Sequence, residues 1–338
     1  MNQLNKILLG LFVAQALLLL GMQMNQEEPL SVKTVQVFPG LDPEQITKLE
    51  IVGAPEKKDG PPQNKVLLTK VNGKWGLGDA DDFPADGKKV DDLVKNLAKL
   101  TSRTTVLQKA TYHDKLEVSA EKFQRKVTLT VAGKDQTFYV GTSPSFKTVH
   151  LRLDGKDEVY LVNELSTGDL GDRAYTWVDR TYLKFGADQL WSIKLKNGVD
   201  QLTLEKNPVN NEWAVLGLTE PVAKTQVDDL VRKAGTVNLE APVGKADKPE
   251  YGLNTPKANL ELVTGTSTIA GTPPLKTTVV TWAIGNKLEK ENQYYAKAST
   301  SDYVVRLASW AVEPLLNKGK KDLVEKKPEA PKATPPKK

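Results

Sequence analysis

The sequence predicts an α+β protein: an N-terminal transmembrane helix followed by two tandem repeats, each a mainly antiparallel sheet with one amphipathic helix packed on it. Three observations carry this expectation. A helical phrase, Val90-Asp91-Asp92-Leu93-Val94, returns letter for letter as Val227-Asp228-Asp229-Leu230-Val231. Around each copy lie short alternating apolar stretches divided by Gly, Asn and Asp, the pattern of strands with one buried face. Residues 7–21 form an apolar run behind Lys6.

In the first helix Val90, Leu93, Val94, Leu97 and Leu100 recur at the i, i+3, i+4, i+7 spacing, while Asp91, Asp92, Lys95 and Lys99 point away. Val227, Leu230, Val231 and Ala234 repeat that face, and Gly235 follows where a left-handed cap is expected. A Trp precedes each helix, Trp75 by 15 residues and Trp213 by 14, and Pro84 or Pro221 closes the intervening loop. Both Trp are expected to fill the space beneath their helices. The repeat core is then Trp75, Val90, Leu93, Val94, Trp213, Val227, Leu230 and Val231.

The strands follow in matching order. Asn72-Gly73 between apolar runs is a strong hairpin signal. Val127-Thr128-Leu129-Thr130-Val131, Phe138-Tyr139-Val140 and Val159-Tyr160-Leu161-Val162 continue unit one. Leu260-Glu261-Leu262-Val263, Trp282-Ala283-Ile284 and Tyr303-Val304-Val305 answer them in unit two, with Gly285 answering Gly141. The expected division is an anchor over residues 1–24, a spacer over 25–38, unit one over 39–180, unit two over 181–317 and a disordered Lys/Pro-rich tail over 318–338.

The apolar run is short against the ~20 residues of a spanning helix, and Gln15 interrupts it. Lys6 before it and Glu27 and Glu28 after it orient the chain with its N-terminus in the cytoplasm. The expectation is an inner-membrane, single-pass protein with its bulk facing the periplasm; a cleaved signal peptide is the alternative reading of the same run.

Net charge is +5, and residues 318–338 alone hold eight Lys against Asp322, Glu325 and Glu329. The body is therefore close to neutral, which argues against a nucleic-acid surface. The absence of Cys excludes disulfides, thiolate catalysis and Cys-ligated zinc.

No catalytic, cofactor or metal constellation is legible. The loop containing Gly265 and Gly271 lacks the Lys of a phosphate cradle. Asp79, Asp81, Asp82 and Asp86 miss the spacing of a calcium loop and read as a solvated run with Asp86 as helix cap. His113 and His150 stand apart from any nucleophile. Asp169, Asp172, Arg173, Asp179 and Arg180 cluster between the units, either as ion pairs pinning the units together or as a partner-docking surface.

Lys74-Trp75, Pro84-Ala85-Asp86, the repeated helix, Asp179-Arg180-Thr181-Tyr182-Leu183 and Tyr251-Gly252-Leu253-Asn254-Thr255-Pro256 together resemble a bacterial family, domain of unknown function 4340, over roughly residues 38–317. Two departures are Asn254, where the family has Asp, and His113-Asp114-Lys115-Leu116 in place of the Tyr-Gly-Leu turn in unit one. The resemblance assigns no reaction. It implies membrane-anchored periplasmic proteins commonly encoded beside ABC-type transporter components, hence a non-enzymatic accessory or scaffold subunit without a cofactor. The alternative is a ligand-binding module for a cell-wall glycan or small solute, using the cleft between units and the aromatics Trp177, Tyr294 and Tyr295.

Overall fold

The computed structural model describes Gln3, Phe12, Gln15 and residues 34–55, 64–107 and 109–325. It is mostly antiparallel sheet with few helices. In chain order the first half contains β1 (Val35–Gln36), β2 (Ile46–Gly53), β3 (Lys65–Val71), β4 (Lys74–Leu77), β5 (Phe83–Pro84), α1 (Gly87–Lys99), β6 (Thr101–Leu107), α2 (His113–Leu116), β7 (Arg125–Val131), β8 (Lys134–Val140), β9 (Thr148–Leu153) and β10 (Val159–Asn163). The second half contains β11 (Thr181–Lys184), β12 (Leu190–Asn197), β13 (Gln201–Lys206), β14 (Trp213–Val215), α3 (Lys224–Gly235), β15 (Thr236–Asn238), β16 (Ala241–Gly244), β17 (Ala258–Thr264), β18 (Thr278–Leu288), β19 (Gln293–Ala298), β20 (Val304–Ala308) and α4 (Ser309–Asn317).

The two sheets share one order. Sheet one runs β1-β6-β10-β9-β8-β7-β2-β3-β4-β5; read backwards, sheet two is β16-β20-β19-β18-β17-β12-β13-β14. Where β1 pairs with the start of β6, β11 pairs with β15. The equivalence reaches single bonds: the Val37 amide donates to Leu100 O at 3.0 Å, and the Phe185 amide to Gly235 O at 2.8 Å. Asn72 and Gly73 both take positive φ and close a two-residue hairpin in which Val71 faces Lys74, the backbone that an Asn-Gly turn favours.

Five expectations are corrected. Among the described residues no helix is long and apolar enough to cross a membrane. The transmembrane helix over residues 1–24, and the single-pass inner-membrane placement built on it, are therefore overturned. The apolar run falls short of a span and is broken by Gln15; apart from Gln3, Phe12 and Gln15, that segment lies outside the described residues. With the helix goes the α+β description of the whole, since sheet dominates. The expected spacer is partly sheet: β1 pairs with β6, and Val37 and Phe38 are buried. The body also continues past Lys318, because Leu323 is fully buried, Val324 bridges Val222 and the Glu325 amide donates to Pro221 O. Residues 326–338 of the expected tail lie outside the described residues.

Gly235 is the fifth correction. It has no left-handed φ and ends α3 in ordinary helical backbone. A side chain there would collide with Leu190 Cδ1 and crowd Phe185 O, so the position needs a residue without Cβ for packing rather than for dihedral freedom.

The buried faces follow the helical spacing. Val90, Leu93, Val94 and Leu97 of α1, and Val227, Leu230, Val231 and Ala234 of α3, enter one hydrophobic core that includes residues of both sheets. A smaller cluster of Val52, Val118, Phe123, Tyr139 and Val159 lies apart from it, with Leu116 of α2 packed against it.

The helices differ at their N-termini. Asp86 caps α1, its Oδ1 accepting the Lys89 amide at 3.1 Å. Ala223 holds the same place on α3 with nearly the same backbone, φ −70° and ψ 88° against −67° and 89°, and no side-chain bond. Asp86→Ala is expected to lower stability by about 1 kcal/mol, and Ala223→Asp to raise it by roughly half as much or more. Urea midpoints of the two variants check this; equal shifts of the same sign would refute it.

Candidate functional site

The loop from Ser166 to Arg180 joins the units, and most of its charges turn inward on the backbone. Asp169 Oδ2 accepts the Ser166 amide at 2.9 Å and its hydroxyl at 2.7 Å. Asp172 faces Arg125 at 3.5 Å, both half-buried, and fills the space beside Gly53. Asp179 accepts the Thr181 amide at 2.8 Å, and this bond holds its carboxyl below the ordinary carboxylate range. Arg173 lies 6.0 Å from the Tyr175 ring centroid, and Arg180 covers the same ring at 5.0 Å.

Of these five, Arg180 crosses to unit two, donating from Nη2 to Glu240 at 2.6 Å and from Nε to Leu239 O at 3.2 Å. The pair is partly exposed, 44% and 21%, so it contributes no more than about 1 kcal/mol. The five therefore do not converge on a single point. Asp169 lines a groove of about 470 Å³ beside α1, together with Asp86, Lys89, Asp92, Asn96 and Glu164, where both signs of charge alternate.

The firmer contacts between the units involve residues that sequence reasoning placed elsewhere. Asp81, expected in a solvated run, accepts the Lys245 amide at 2.7 Å. Tyr303 donates toward the carbonyls of Asp81 and Asp82 at 3.3 and 3.4 Å and packs edge-on against Phe83, ring centroids 4.8 Å apart. Asp81 and Asp82 hold left-handed backbone, which aims consecutive carbonyls outward at Tyr303. The remaining acidic residues are engaged locally: Asp82 accepts Thr69 Oγ1 at 2.9 Å, and Asp79 stands 4.0 Å from Lys65. Nothing short of the left-handed pair itself, both Asp and thus tolerant of that backbone, could have signalled the clamp.

The aromatics expected to form a glycan surface are not exposed. Trp177 is fully buried with Nε1 donating to Gly171 O at 2.7 Å. Tyr294 is buried, Tyr295 is half-buried against Tyr251, and burial raises both phenols above their ordinary value. The cleft between units keeps a recess of about 310 Å³ whose walls include Leu67, Ala80, Pro242, Tyr295 and Arg306. His113 lies in α2 with Nε2 against Asp157 O at 3.0 Å, and His150 on β9 with Nδ1 against Thr142 Oγ1 at 2.9 Å; neither faces a nucleophile across an open site.

The two Trp separate the units. Trp75 is 5% exposed and donates from Nε1 to Asp91 Oδ1 of α1 at 2.8 Å. Trp213 is half-buried, and it lines a recess of about 430 Å³ with Asn207, Asn211, Glu212 and Asp228.

A family model described as Domain of unknown function (DUF4340) matches residues 75–256, more than half of the chain, from Trp75 through the junction to Pro256. The chain belongs to this family. No curated protein and no solved structure matches it. The family's description carries no reaction, so function rests on the geometry above.

Proposed function

We propose that this member of the family is a non-enzymatic interaction module, an accessory subunit in which two copies of one fold are fixed as a single platform for partners. The observation that supports this reading is the clamp between the units: Asp81 on Lys245, Tyr303 on the Asp81-Asp82 carbonyls and Phe83, and Arg180 on Glu240. Contacts from separate elements resist rotation about any one of them. A hydrolase built on two lobes needs convergent acid and base across its cleft, whereas here the junction carboxylates are turned to amides and to Arg125. An ABC-transporter-type complex is the partner that the family resemblance brings forward.

Gentle extraction of the tagged chain from its own host, followed by native mass spectrometry, tests the reading. A defined complex in stoichiometric amounts is the expected outcome, weakened when Tyr303→Ala loosens the clamp. A lone monomer under those conditions overturns it.

A further inference from the structure

We infer that unit two carries a saccharide-binding recess whose platform is the indole face of Trp213, at a place that unit one keeps closed. Trp75 and Trp213 hold the same position: Lys70 faces Trp75 across β3 and β4, and Lys206 faces Trp213 across β13 and β14. In unit one every approach to the ring is occupied. Lys70 Nζ lies over it at 5.6 Å from the centroid, Asp91 accepts its N–H, and the ring is 5% exposed.

In unit two each closure is undone. Lys206 Nζ is drawn away, donating to Ala187 O at 2.9 Å and lying 4.9 Å from the Trp191 ring centroid. Asp228 stands where Asp91 does in the repeated helix, yet it is exposed and has no bond to Trp213 among the described residues. The two-residue turn is replaced by the loop from Asn207 to Glu212. That loop is held open by its own bonds: the Asn207 amide donates to Glu212 O, the Asn211 amide to Asn207 O, and Asn210 links its side chain to both the amide and the carboxylate of Glu212.

The opened space suits a neutral sugar. A pyranose offers a face of weakly positive C–H bonds that complements the negative face of an indole, and a rim of hydroxyls that both donate and accept. The recess is lined by Trp213 with Val222 and Val227 and by more polar residues than apolar ones, Asn207, Asn211 and Asp228 among them, side chains that can hydrogen-bond a hydroxyl-rich ligand. Its 430 Å³ falls within the range of small-ligand pockets. Glu212 and Asp228 against Lys224 leave it without the positive excess that an anionic ligand requires. The inference stands apart from the platform reading, since a monomeric protein could hold this recess equally well.

Nitrogen-15 spectra of the full chain test it, with the Trp213 indole N–H signal assigned by its loss in Trp213→Phe. The probes are maltotriose, cellotriose and chitotriose at millimolar concentration. At least one is expected to move the Trp213 signal saturably and leave the Trp75 signal in place, and Trp213→Ala is expected to weaken that binding by about tenfold or more. Should Trp213→Ala fail to fold, the exposed variants Asn211→Ala and Asp228→Ala are expected to weaken binding several-fold at unchanged melting temperature. No saturable shift with any of the three sugars, as a recess that seats a polypeptide would give, overturns the inference. So does affinity untouched in all variants.

Discussion

Trp177→Ala is expected to be among the most damaging single substitutions in this chain, lowering unfolding free energy by about 3–5 kcal/mol. The side chain is fully buried, its indole donates to Gly171 O at 2.7 Å, and its carbonyl accepts the amide of Asp86, the residue that caps α1. Truncation therefore leaves a large void and an unpaired Gly171 carbonyl together, next to the backbone carbonyl that holds the start of α1. With total stability on the order of 5–15 kcal/mol, such a loss removes much of the margin. Trp310 is the internal control: it is 70% exposed, and Trp310→Ala is expected to stay within about 0.5 kcal/mol of the parent. Urea unfolding followed by circular dichroism measures both. A loss below about 1.5 kcal/mol for Trp177→Ala would show that the junction loop does not depend on it.

The second large effect is expected at Gly141, directly after β8, and at Gly285, the matching position within β18. In unit one a Cβ on Gly141 would drive into the carbonyl oxygen of Leu116, and in unit two a Cβ on Gly285 would drive into that of Tyr251. Each carbonyl belongs to a helical turn closed by a left-handed residue, Glu117 at φ 58° and Gly252 at φ 67°. Backbone cannot yield as a side chain does, so Gly141→Ala and Gly285→Ala should each cost about 3 kcal/mol. Gly198 has an open neighbourhood and no left-handed φ, and Gly198→Ala should be neutral or slightly stabilising, by up to about 1 kcal/mol. Thermal melts of the three variants decide the matter. A silent Gly141→Ala beside a damaging Gly285→Ala would mean that the two turns are packed by different rules.

That equivalence also marks the limit of what could be read beforehand. The Val-Asp-Asp-Leu-Val phrase, the two Trp and the Asn-Gly pair are local signals, and they locate α1, α3 and the β3–β4 hairpin because periodicity and turn chemistry act over a few residues. The sequence sets His113-Asp114-Lys115-Leu116 at the place of the Tyr251-Gly252-Leu253 turn, but the left-handed close that the two share was not legible, because Glu117 accepts that φ with no letter in common with Gly252. The clamp was hidden for a different reason. Lys245 is 164 residues from Asp81, and Tyr303 is 222, so no spacing rule connects them. The local bonds of the junction carboxylates were hidden as well: Asp169 and Asp179 satisfy amides two or three residues away, a role that short acidic side chains fill in loops generally. Trp213 was legible as a partner of Trp75, but its different exposure depends on where Lys206 points, which sequence does not reveal.

The strand order has one further consequence, at the margins of the sheets. Sheet one ends in β1 and β5 and sheet two in β14 and β16, all stubs of two to four residues, with Pro84 and Pro242 removing a donor from two of them. Such borders offer too short a ladder to template another chain. Growth by adding strand to strand, the route to fibrils and extended arrays, is thereby disfavoured at these four borders.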